Sequence, residues 1–130
     1  MTDTHALLWY GSEKDHKKLS RNALRAFQAA SRSEALIWAP SMVVWEAGLI
    51  SRAGHLKVKP SVLQWAFAID RQPGFALASL DADVVDVVLN IQLTADIFDL
   101  AIIATARAKD LPLITKDAWI VDSGLVPVVW

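Results

Sequence analysis

The 130-residue chain contains no cysteine. Disulfide scaffolds, zinc ribbons, thiol nucleophiles and iron–sulfur sites are therefore excluded. Long apolar runs are also missing. The stretch from Ala35 to Trp45 is cut by Pro40 and ends at Glu46, well short of the roughly 20 residues a membrane helix requires. Glycine and proline number only five each, and no linker, fixed-period repeat or low-complexity tract marks a domain boundary. No excess of one charge exists either. Thirteen basic residues face fourteen acidic ones for a formal net charge of -1, which argues against a basic surface coating nucleic acid. Met1 to His5 carry neither a basic nor an apolar leader, so the expectation is a cytoplasmic protein without a secretory signal.

What the chain does have is apolar content, 54% against 21% charged, which rules out disorder. One domain spanning 1–130 is expected, able to bury about two thirds of its unfolded surface. Strand and helix signals alternate. Residues 1–3 read as a strand stub leading into a helical turn through Trp9, and Ser20 caps a helix to about Arg32. Leu36 to Ala39 reads as a strand stopped by Pro40, and Ser41 as the N-cap of a helix through Ala53, closed by Gly54. Ser61 caps a helix to about Asp70, Phe75 to Ala78 is strand-like, and Asp81 caps a helix containing Val84, Val85, Val88 and Leu89. Asp96 opens a helix to about Lys109, and Leu111 to Thr115 and Val126 to Val129 complete the strands. Such alternation implies an α/β sandwich with a mainly parallel sheet.

Two groups of charges stand out. Lys14, Lys18, Arg21 and Arg25 recur at i, i+4, i+7 and i+11, and on one continuous helix they form a basic stripe, either a solvated face or a phosphate-contacting one. The acids are more anomalous. Glu46 sits among Met42, Val43, Leu49, Ile50 and Ala53 at helical spacing, and a carboxylate in an apolar stripe must neutralise or find positive charge. Asp99 has Ile102, Ile103 and Ala106 beside it, although Asp96 and Asp99 also fit a capping pair. Asp3 and Asp117 lie at strand ends, where open parallel sheets place their ligand sites. Four converging carboxylates repel one another unless cations join them, and an all-oxygen donor set suits Mg²⁺ or Mn²⁺ rather than zinc.

These residues resemble a known family. Asp3-Thr4-His5-Ala6-Leu7-Leu8-Trp9 is similar to the opening of PIN-domain proteins of the kind that serve as toxins in VapBC toxin–antitoxin pairs. Ser41 through Glu46, continuing to Ile50 and Gly54-His55-Leu56, resembles that family's Ser-x-x-x-Trp-Glu helix. Asp96-Ile97-Phe98-Asp99 with Ile103, Ala104 and Ala106 is similar to its Asp-Pro-Phe-Asp helix start, Leu113-Ile114-Thr115-x-Asp117 to its following strand, and Val128-Val129-Trp130 to its ending. The resemblance implies a PIN-like three-layer α/β/α sandwich on a five-stranded parallel sheet and Mg²⁺- or Mn²⁺-dependent endoribonuclease activity. It also implies an acidic quartet of Asp3, Glu46, Asp99 and Asp117, with Thr115 as a supporting hydroxyl. An RNA substrate, a cognate antitoxin and a homodimer come with it, six tryptophans being compatible with interface use.

The chain departs from the family pattern at three points. Only Met1 and Thr2 precede Asp3, so that either the first strand is abbreviated or the true start lies upstream; Ile97 stands where proline is common; and Leu100 replaces a basic residue. The expected chemistry is metal-assisted phosphodiester hydrolysis, with Lys18, Arg21 and Arg25 guiding single-stranded or looped RNA. A receiver- or phosphatase-like phosphoryl-transfer domain fits less well, because Asp3 is followed by Thr4 and His5 and Glu46 is left unexplained. A PIN-fold module that binds without turnover is the non-enzymatic alternative.

Overall fold

The computed structural model describes residues 1–55 and 61–130. Leu56, last residue of the Gly54-His55-Leu56 block, lies outside the described residues. Met1–Asp3 run straight into helix α1 (Thr4–Tyr10), followed by a 3-10 turn (Glu13–Lys18) and α2 (Arg21–Ser31). Strand β1 (Ile37–Pro40) passes directly into α3 (Ser41–Arg52), and α4 (Val62–Arg71) precedes β2 (Phe75–Ala78). The chain continues through α5 (Ala82–Leu89), α6 (Ile97–Ala108), β3 (Leu113–Ile114), α7 (Ala118–Ser123) and β4 (Val128–Val129). None of the described helices is long and apolar enough to cross a membrane.

Polar caps account for most helix starts. Ser20, Ser61, Asp81 and Asp96 each accept a hydrogen bond from a backbone N–H of the first turn, satisfying donors that have no partner within the helix. Three readings need correction. Ser41 is not a cap: β1 ends at Pro40 and the helix begins on the next residue, so Pro40 takes the cap position without a side-chain bond. The basic run does not lie on one helix, because Leu19 is extended (φ −82°, ψ 142°) and separates the 3-10 turn from α2. Lys18 and the pair Arg21 and Arg25 thus belong to different elements. The strand expected over Leu111–Thr115 pairs only at Leu113–Ile114, and the one over Val126–Val129 only at Val128–Val129.

Two parallel pairs form, β1 with β2 and β3 with β4. Met1–Asp3 lie between them. Thr2 N–H donates to the Trp38 carbonyl (3.0 Å) on one side, while Asp3 N–H donates to Ile114 (3.1 Å) and Ile114 N–H to Met1 (2.9 Å) on the other. The segment before α1 pairs through a single bridge, Thr2 to Ile114, at the centre of the backbone order β2, β1, Met1–Asp3, β3, β4. Progress along the chain runs outward in one direction through β1 and β2 and in the other through β3 and β4. Asp3 thus sits at the point where strand order reverses, the usual ligand position in an open α/β sheet. Beneath it Phe27, Val43, Ile102, Ile103, Leu113 and Ile120 are buried to 2% exposure or less and form one core.

Candidate acidic cleft

Four elements aim carboxylates into one cleft of about 430 Å³: Asp3 before α1, Glu46 in α3, Asp96 and Asp99 at the start of α6, and Asp117 before α7. Thr4, His5, His55 and Phe98 also line it. No lysine or arginine does so among the described residues. The apolar stripe around Glu46 is only half inward. Met42 and Val43 are buried, but Leu49 is 42% exposed and, with Ile50 and Ala53, forms the cleft wall, so Glu46 faces a solvent-filled hollow rather than the core.

Asp3 is the most enclosed acid, 7% exposed. Its Oδ1 accepts from Ala6 N–H at 2.6 Å as the cap of α1. Burial pushes its carboxyl above the usual carboxylate range; the Thr115 hydroxyl, the Ala6 amide and His5 oppose that rise, and Glu46 adds to it. Thr115 is fully buried and links two acids, since its Oγ1 accepts from Asp117 N–H at 3.0 Å while its hydroxyl favours the ionised form of the Asp3 carboxyl. Asp117 in turn accepts Trp119 and Ile120 N–H through Oδ1 alone (2.9 and 3.2 Å). Glu46 Oε2 accepts from the Thr4 hydroxyl, which pins the α3 carboxylate to the first residue of α1.

Asp99 is the exception. Asp96 performs the capping, accepting Phe98 N–H at 2.8 Å, and the Asp99 carboxylate makes no hydrogen bond among the described residues. Half-burial, followed by repulsion from Asp117, Asp96, Glu46 and Asp3, raises its carboxyl to about 6. Every neighbouring charge that acts on it is negative. This is the electrostatic condition of a cation site: carboxylates of like charge forced together, with no lysine or arginine among the described lining residues. As the side chains stand, no three His, Asp or Glu donors converge tightly enough to enclose an ion among the described residues. The donor chemistry fits a hard divalent cation.

The three expected RNA-guiding residues do not line this cleft. Arg21 and Arg25 are exposed on α2, and Lys18 pairs with Asp15 at 2.8 Å beside a neighbouring hollow. Sequence reasoning passed over Thr4, although a hydroxyl next to Asp3 was a legible signal. It also passed over His55 and Phe98 as cleft residues, whose arrival there depends on tertiary packing.

Fold and site together define an α/β protein with an oxygen-donor cleft at the switch point of its sheet. The PIN domain family matches residues 1–121, and the chain belongs to that family. Its fold is similar to that of VapBC2 from Rickettsia felis bound to a DNA fragment from their promoter. The TM-score is 0.70 at 12% identity, covering 98% of this chain and 95% of that one. No curated protein matches it by sequence.

Proposed function

We propose that this PIN-domain chain is a Mg²⁺- or Mn²⁺-dependent endoribonuclease, the toxin of a type II toxin–antitoxin pair, working in the cytoplasm as a homodimer that an antitoxin protein binds. The observation carrying the nuclease reading is the convergence of Asp3, Glu46, Asp99 and Asp117 in one cleft that no lysine or arginine lines among the described residues. The antitoxin partner is supported by likeness in fold to a VapBC chain.

Asp3, Glu46, Asp99 and Asp117 would hold the cation, which when bound supplies Lewis acidity to the phosphodiester and acidifies a water. The chain's own residues provide orientation. Asp3 is fixed by Ala6 N–H and Thr115, so its direction is set before anything binds. Thr4 does the same for Glu46, and the helix-capping bonds of Asp117 commit one oxygen while leaving the other for the cleft. Asp99 carries a proton below about pH 6 in the metal-free chain and must release it to serve as a ligand. Phe98 and Ile102 supply an apolar wall, and single-stranded or looped RNA can splay into such a hollow.

A ribonuclease assay on total RNA with added Mn²⁺ tests the reading. Cleavage is expected from the parent, and none from Asp3→Asn or from the parent in excess EDTA. Undiminished cutting in either control overturns the metal mechanism, and a parent that binds RNA without cutting it is a binding module instead.

A further inference from the structure

An RNA strand must bring its phosphates up to a cleft lined with carboxylates, and the positive charge that offsets this repulsion stands just outside it. The Trp9 ring holds two ammonium groups, Lys116 Nζ at 4.5 Å and Lys18 Nζ at 5.8 Å from its centroid. The ring is itself fixed by an edge contact with Trp130 (6.2 Å) and by His5 (5.8 Å). Lys18 shares its charge with Asp15. Lys116 is exposed and has no carboxylate within 4.0 Å among the described residues, so its position comes from the indole face and from its place between buried Thr115 and the cap residue Asp117.

The geometry around His5 connects this pair to the acids. His5 lines the acidic cleft, a hollow of about 320 Å³ shared by Asp3, Trp9, Lys116 and Asp117, and a third of about 630 Å³ that holds Lys14 and Lys18. We propose that Lys116 and Lys18, held on Trp9, form a phosphate rim that grips the nucleotide flanking the scissile bond as RNA leaves the acidic cleft. The inference rests on the ribonuclease reading and replaces the helical stripe as the positively charged guide. Lys116 is the principal contact, because its ammonium is not already paired.

The molecule contains its own control. Lys109 Nζ also sits over an indole, 5.0 Å from the Trp38 centroid, but at the far end of α6, ten residues or about 15 Å beyond Asp99. Lys116→Gln and Lys109→Gln therefore remove the same charge from the same kind of perch. The experiment is fluorescence anisotropy of a labelled single-stranded oligoribonucleotide with full-length Asp3→Asn protein in Mg²⁺, titrated at several salt concentrations. Lys116→Gln is expected to weaken binding about fivefold to tenfold and to lower the salt slope by about 0.7, the value of one single-strand phosphate contact. Lys109→Gln should stay within twofold of its background, and Lys116→Arg should restore affinity. Equal losses from the two Gln variants, or an unchanged slope for Lys116→Gln, overturn the rim while leaving a parent that cuts RNA as a ribonuclease. A parent that neither binds nor cuts RNA overturns both.

Discussion

Replacing Asp99 by Asn removes one negative charge at nearly constant shape from the place where four other carboxylates press on it. Because the folded-state carboxyl is raised to about 6, above its unfolded value, the folded chain prefers the protonated form. Its contribution to stability is full below about pH 4 and is lost as pH rises through about 6. The amide has no such loss. In EDTA, Asp99→Asn should melt like the parent at pH 4 and above it at pH 7, by about 1 kcal/mol once solvent screening and the small loss of helix-dipole stabilisation are allowed for. For a domain of this size that is about 3–5 °C. Thermal unfolding at pH 4, 5, 6 and 7 checks the sign. A gap that is constant or closes with pH would return Asp99 to the role of a first-turn acid serving only the helix.

The strongest local constraint among the elements lies away from the cleft. Gly74, entering β2, has φ +81°, and a Cβ built there would stand 1.9 Å from the carbonyl oxygen of buried Ala30 near the end of α2. Its own carbonyl accepts Ile37 N–H at 2.8 Å, so α2, β1 and β2 all depend on one backbone conformation. Gly54, after α3, has the same φ with open space around it. Gly74→Ala should cost more than about 2 kcal/mol and Gly54→Ala only about 1, the ordinary penalty of a left-handed alanine. Urea titration of both variants checks the ratio, and equal costs would mean that the contact with Ala30 relaxes. The elements also show what a sequence can reveal. Ser20, Ser61, Asp81 and Asp96 were legible as caps because capping depends on residues two or three apart. The six-residue α7 was not, having too few turns for a periodic pattern, and the stripe Lys14 to Arg25 failed because nothing in its spacing reveals the extended Leu19. Pairing Met1–Asp3 between Trp38 and Ile114 is a long-range choice that no local pattern encodes.

For the whole molecule, formal neutrality conceals an uneven field. A net charge of -1 is spread so that five carboxylates share one cleft that no lysine or arginine lines among the described residues, while Lys18 and Lys116 stand on Trp9 outside it. Glu46 and Asp99 were legible as anomalies beside apolar residues and Asp3 and Asp117 as strand-end acids; their meeting point was legible through the rule that ligands gather where strand order reverses and through the family resemblance, and the geometry required the fold. A cation that binds this cleft only in the folded chain must stabilise it by mass action, by about 2.7 kcal/mol at one hundred times its dissociation constant. Melting of the parent should therefore rise by several degrees between EDTA and saturating Mg²⁺ or Mn²⁺ at pH 7. The rise should shrink at pH 5, where Asp99 retains its proton. Asp99→Asn should show a much smaller shift, whereas Asp86→Asn, on α5 and outside the cleft lining, should shift like the parent. The Asp86 variant separates a site from general screening, because a non-specific effect of divalent ions on an acidic surface moves all three proteins together. A parent whose melting is indifferent to high millimolar Mg²⁺ and Mn²⁺ would leave the cleft as a cluster of carboxylates, three of them helix caps, with no cation to justify their crowding.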